Sequence, residues 1–249
     1  TAQAVALGLN QVQALTGAQV RAIPTAALAA LSTDALMHLS PTQIGNLSTA
    51  QMRALTTDQL AQLTTAQLLQ LGTDDMAALT SLQAAALQTD QVVALTSTQL
   101  YALSTMSLAA LASDAVALLD PSYIANMKPA QLRALNSSQI AALTAGQLAS
   151  LDVRSLTTTQ LTQMSSAQLG ALSNEQLSVL DIPTLKAMAG DQLGALNAEQ
   201  VAGLSTGQVA ALTLDQMGRL TTAQVAALET IDLAVLSSAQ IQALTSDRK

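Results

Sequence analysis

The chain has 249 residues, half of them apolar and 10% charged, with no cysteine, Phe or Trp and a formal net charge of -7. That composition excludes a disordered, charge-rich chain and a disulfide framework or thiolate site. With nine Lys and Arg residues spread along the chain and no basic patch, no nucleic-acid partner is expected.

From the first residues onward one element recurs. A large aliphatic anchor returns every eight residues from Leu7 to Leu151, and again from Leu156 to Leu244, giving 31 anchors in units of the form Leu-(Ser/Thr)-x-x-Gln-(Leu/Val/Ile/Met)-x-x. Ser, Thr, Asn or Asp follows the anchor in 23 units, and Gln stands three residues later in 21. This is a capping box, with aliphatics placed on either side as a hydrophobic staple requires. Leu55-Thr56-Thr57-Asp58-Gln59-Leu60 shows the whole device.

Other residue classes give the same phase. All 16 acids lie one, three or four positions after an anchor, where a helix N-terminus carries partial positive charge. Arg21, Arg53, Arg133, Lys186 and Arg219 lie six or seven positions after one, near the helix end. The prolines, Pro24, Pro41, Pro121, Pro129 and Pro183, fall within three residues of an anchor, where a missing N–H is tolerated.

One continuous helix is disfavoured, because eight residues at about 100° each carry the anchor roughly 80° past two full turns and wind the apolar stripe around the rod. Strands fit worse, since alternation is absent and Ala and Gln are poor strand formers. The predicted fold is all-α: a solenoid, or superhelix, of very short helices of about five to seven residues, one per octad, each ending at the next cap. A helix this short needs stacked neighbours. Small pairs such as Ala109-Ala110 and Ala141-Ala142 allow close approach. The spacing is compatible with two, three or more octads per superhelical turn.

Taken in chain order, the candidate sites are few. His38 is the only histidine, and with no Cys beside it no metal is expected. Asp74 and Asp75, the only adjacent acids, both occupy first-turn positions that the helix dipole explains. A weak stretch, Asp120 to Asn126, puts Tyr123 where Gln is usual, and Arg133 is a variable outward position. Between Leu151 and Leu156 three residues of an octad are missing; the plain reading of Leu-Asp-Val-Arg-Ser-Leu is a tolerated deletion that re-phases the stack, the sharper one a hinge or docking notch at Asp152 to Ser155. Tyr123, Arg133 and Arg154 are the expected partner contacts. A hydroxyl two positions after the anchor in 19 units, including Thr49, Thr57 and Thr65, is expected to line up as a ladder.

The organisation expected is a single elongated repeat array over 1–249, with in-phase blocks 1–151 and 156–249 around the five-residue unit. No basic stretch followed by an apolar block opens the chain and no polar units cap the array, so an excerpt of a longer protein is expected. No run of about 18 apolar residues exists, so no membrane insertion is expected. With one histidine and no phosphate-cradling loop, neither catalysis, nor a cofactor, nor a small-molecule substrate is expected.

The octads Leu47 to Ala54 (Leu-Ser-Thr-Ala-Gln-Met-Arg-Ala) and Leu220 to Ala227 (Leu-Thr-Thr-Ala-Gln-Val-Ala-Ala) resemble short helical repeats of very large bacterial secreted or surface proteins of adhesin type. The resemblance covers nearly the whole chain and implies an extracellular stalk or display segment, with no catalytic residues to carry over. A structural or adhesive spacer at the cell surface is the leading expectation, with a protein or cell-surface partner. The alternative is a protein-interaction scaffold, secreted or cytoplasmic, that binds on one solenoid face.

Overall fold

The helix-start signal in each octad acts locally. At Thr56 the backbone is extended (φ -70°, ψ 160°); its hydroxyl accepts from the Gln59 N–H at 3.2 Å, and its own N–H donates to Gln59 Oε1 at 2.9 Å. A helix, Thr57–Ala61, starts there and ends before Leu63, the next anchor. A computed structural model describes residues 9–245; the first anchor, Leu7, and the acid Asp247 lie outside them. Among the described residues there are 29 α-helices, one per repeat, a single 3-10 turn at Val153–Ser155 and no strand.

The helices are four to six residues long, except Ser238–Thr245 with eight. They run slightly shorter than expected because the anchor and the cap after it commonly adopt extended backbone, as at Leu79 (φ -57°, ψ 133°) and Thr80 (φ -77°, ψ 161°). No described residue, glycine included, has positive φ. Helices therefore stop without the left-handed glycine that usually ends one; the cap of the next unit turns the chain. Two glycines serve another purpose: a Cβ at Gly45 or Gly194 would lie 2.9 Å from the carbonyl oxygen of Gln70 or Arg219.

Anchors and the aliphatics five positions after them form the core, as at Leu60 and Leu63, which are 0% and 3% exposed. Gln59, between cap and core, is only 2% exposed. Its Oε1 is used by the capping box, and its Nε2 donates to Leu28 O at 3.0 Å and Leu31 O at 2.9 Å, 31 and 28 residues back. Gln51, Gln67, Gln83, Gln91 and Gln99 make the same pair of bonds. Each octad is thus tied to the junction between the octads four and three earlier, while each helix packs on the helix three octads away, as Thr73–Ala78 does on Thr49–Ala54 and Ser97–Ala102. One superhelical turn takes between three and four octads.

Contacts divide the chain into two compact units, Thr1–Leu119 and Asp120–Lys249. In the first, the glutamine bonds run without a change of spacing from Gln43 to Gln67 and from Gln83 to Gln99. The second contains the five-residue unit. There Asp152 caps the 3-10 turn, and Val153 takes a buried aliphatic's place at 1% exposure. Gln160, Gln168 and Gln176 reach across it with offsets of 28 and 25 residues in place of 31 and 28. The missing three residues are subtracted from every bond that passes over them, and the 28-residue bond returns at Gln192 and Gln200. The short unit re-phases the chain while the stack continues, in keeping with the plainer reading of the deletion.

Candidate functional site: interruptions of the glutamine ladder

Three positions where the glutamine is replaced by a shorter side chain border a cavity. Ser107 keeps one of the two inter-turn bonds, from Oγ to Leu79 O at 2.8 Å, and lines a cavity of about 300 Å³ with Arg53, Leu79, Thr80, Ser104 and Met106. Thr184 instead pairs its hydroxyl with that of Thr158 at 2.9 Å and borders a cavity of about 160 Å³.

Two replacements are aspartates, Asp75 and Asp232, 8% and 2% exposed. Each still accepts the N–H of its cap residue: Gly72 to Asp75 Oδ2 at 3.1 Å, and Glu229 to Asp232 Oδ2 at 3.3 Å. A carboxylate has no proton to give to the turn behind. Asp75 borders a cavity of about 410 Å³ together with Arg21, Leu47, Ser48, Thr49, Thr73 and Asp74. Burial pushes the Asp75 carboxyl above its ordinary value; the Gly72 N–H opposes this, Asp74 adds to it, and Arg21 opposes it.

The residues expected as partner contacts are not gathered. Arg154 is exposed and its Nε donates to Asp152 Oδ1 at 3.0 Å. It lines two adjoining cavities of about 420 and 160 Å³ that share Val153, Arg154 and Val179 and are flanked by Asp152, Glu175 and Asp181. Hydrogen bonds hold all three carboxyls below their ordinary values: Arg154 acts on Asp152, the Glu175 N–H and Ser173 hydroxyl on Glu175, and the Thr184 hydroxyl and N–H on Asp181. Tyr123 is half-buried at the third position of Pro121–Ala125, and Arg133 is exposed in the last turn of Pro129–Ala134. Neither lines any of these four cavities.

His38 follows Thr33–Met37, its Nδ1 2.7 Å from Asp34 O. Among the described residues no three His, Cys, Asp or Glu side chains are grouped to hold a metal, and no helix is long and apolar enough to cross a membrane.

The hydroxyls two positions after the anchor form no single ladder. Consecutive octads point to different sides of the coil, so Thr49, Thr73 and Ser97 share one row of stacked helices and Thr57, Ser81 and Thr105 another. Sequence reasoning missed the outward bond of the glutamine amide. A signal for it was present: a capping box accepts Glu or Gln, yet this position holds 21 Gln and no Glu.

Short helices on an eight-residue period, stacked through a buried glutamine, define an octapeptide α-solenoid. The chain belongs to the ALTTAQ repeat family, which matches residues 17–49, 44–73, 68–105, 124–153 and 185–222. Ala54-Leu55-Thr56-Thr57-Asp58-Gln59 shows the family's pattern with one change. The intervals between matches contain Ser107, Ala115, Tyr123, Ser155 and Thr184, all places where the glutamine is absent. Among curated proteins none matches the chain.

Proposed function

We propose that the chain is a structural or adhesive spacer segment of a larger secreted or surface protein of bacterial origin, a single non-enzymatic array that holds other domains apart. The observation that carries this reading is the repetition of one bond set: the cap N–H on the glutamine oxygen and the amide bond to the carbonyl 28 residues back are made at Gln43 and again at Gln240. A spacer is served by many copies of one unit, whereas a specific site requires departures from it. Small-angle scattering tests it: a compact globule of this length has a radius of gyration of about 18 Å. The reading requires a clearly larger value with a rod-like profile, and a value near the globular one overturns it.

A second reading, a scaffold that binds a protein on one face, is favoured by the groove at the short unit. There the apolar Val153, Val179 and Leu180 lie beside Glu175, Asp181 and the Arg154–Asp152 pair. On this reading Val179→Asp or Arg154→Ala abolishes capture of a defined partner, and capture retained by both variants overturns it.

A further inference from the structure

Asp75 occupies a position whose chemistry the rest of the array defines. At the equivalent place Gln67 and Gln83 each supply one acceptor to the cap N–H and an amide NH₂ to the turn behind. Counted back by the 31- and 28-residue offsets of Gln67 and Gln83, the counterpart carbonyls for residue 75 are those of Ile44 and Leu47, which receive no side-chain amide. Ile44 and Leu47 are buried, at 0% and 4% exposure, and Leu47 borders the same cavity as Asp75, so the carboxylate stands beside a turn whose carbonyls lack the donor that glutamine supplies elsewhere. Acceptors brought together away from water repel one another unless a proton is placed among them.

We propose that Asp75 is a proton-operated rung of the first unit: with the proton on, the site gains the donor that glutamine supplies elsewhere, and with the proton off the helix Thr73–Ala78 is loosened from the turn behind it. The charged groups around it are few. Asp74 on its own helix favours uptake of the proton; Arg21, across the cavity, opposes it. Of the helices packed against Thr73–Ala78, Thr49–Ala54 contributes Arg53, and the one titratable side chain of Ser97–Ala102 is the phenol of Tyr101.

The sign follows from burial, which raises the folded-state value of Asp75 above 3.8. The stabilising contribution is complete below that ordinary value and is lost as pH rises through the raised one. Each unit of separation between the two values corresponds to a tenfold change in the unfolding equilibrium.

The test uses the full chain, Asp75→Gln and Asp75→Asn. Carbon-detected NMR titration of the carboxyls and denaturant midpoints are measured from pH 3 to pH 8. We expect Asp75 to titrate above the exposed aspartates. The midpoint of Asp75→Gln, which restores the common rung, should pull away from wild type as pH rises, and Asp75→Asn should lose the same pH dependence without needing the longer side chain. Titration of Asp75 together with the exposed aspartates overturns the proposal, as does a wild-type-to-Gln difference that is constant across pH.

Discussion

Glutamine stands at the fourth position after the anchor because the site needs an acceptor and a donor on one planar group. Oε1 meets the cap N–H, and Nε2 meets carbonyls of another turn; glutamate could do only the first, and would bring a buried charge toward carbonyl oxygens. The cap hydroxyl is the more dispensable partner. At Gln88 and Ala189 no cap side chain accepts a bond, yet their N–H groups still donate to Gln91 Oε1 at 2.7 Å and Gln192 Oε1 at 2.8 Å. Thr56→Ala is therefore expected to lower stability by about 1 kcal/mol. Gln59→Ala should cost about 2 kcal/mol, and Gln59→Glu about 3 kcal/mol near neutral pH. Urea denaturation of the three variants checks that order; equal losses for Ala and Glu would remove the need for the Nε2 donor.

At the scale of the element, the capping box was legible because its partners lie three residues apart, so hydroxyl, glutamine, acids, bases and prolines all report one phase. The five bases expected near helix ends lie there, Arg21, Arg53, Arg133, Lys186 and Arg219. The partner of Gln59 Nε2 was not legible, since which turn lies behind an octad depends on the pitch of the coil. Helix spacing makes a sharp comparison between two glycines. Gly194→Ala places a methyl 2.9 Å from the Arg219 carbonyl oxygen, whereas a Cβ at Gly207, in Thr206–Ala211, meets nothing within 4 Å. Thermal denaturation should show Gly194→Ala destabilising by about 1–3 kcal/mol and Gly207→Ala stabilising by about 0.5–1 kcal/mol.

Over the whole molecule, the two units carry acids of opposite response. Asp120, Asp152, Glu175 and Asp181 belong to the second unit and have values lowered by hydrogen bonds, with the Ser122 hydroxyl acting first on Asp120. Their contribution is present above the ordinary carboxylate range and is lost as pH falls through the lowered values. All four are exposed, so each effect is small and salt-sensitive. Asp75, in the first unit, responds in the other direction. Hydrogen exchange, corrected for intrinsic rate, should show protection around Asp181 falling between pH 5 and pH 3 while protection of Thr73–Ala78 holds or rises.

The five-residue unit shows what sequence spacing conveys at this scale and what it does not. A break at Leu151 to Leu156 was visible, but its effect was set by the bonds of Gln160, Gln168 and Gln176, which simply shorten their reach. The boundary between the units falls instead after Leu119, next to Asp120 and Tyr123. Three of the four cavities border a replacement of glutamine, at residues 75, 107 and 184, and the fourth lies at the five-residue unit.

The most direct measurement is hydrogen exchange of the glutamine side-chain NH₂ groups by NMR. Amides of Gln51, Gln59, Gln67, Gln83 and Gln99, bonded between turns, should exchange far more slowly than those of the exposed Gln62 and Gln70. Uniformly rapid exchange at all seven would contradict the account.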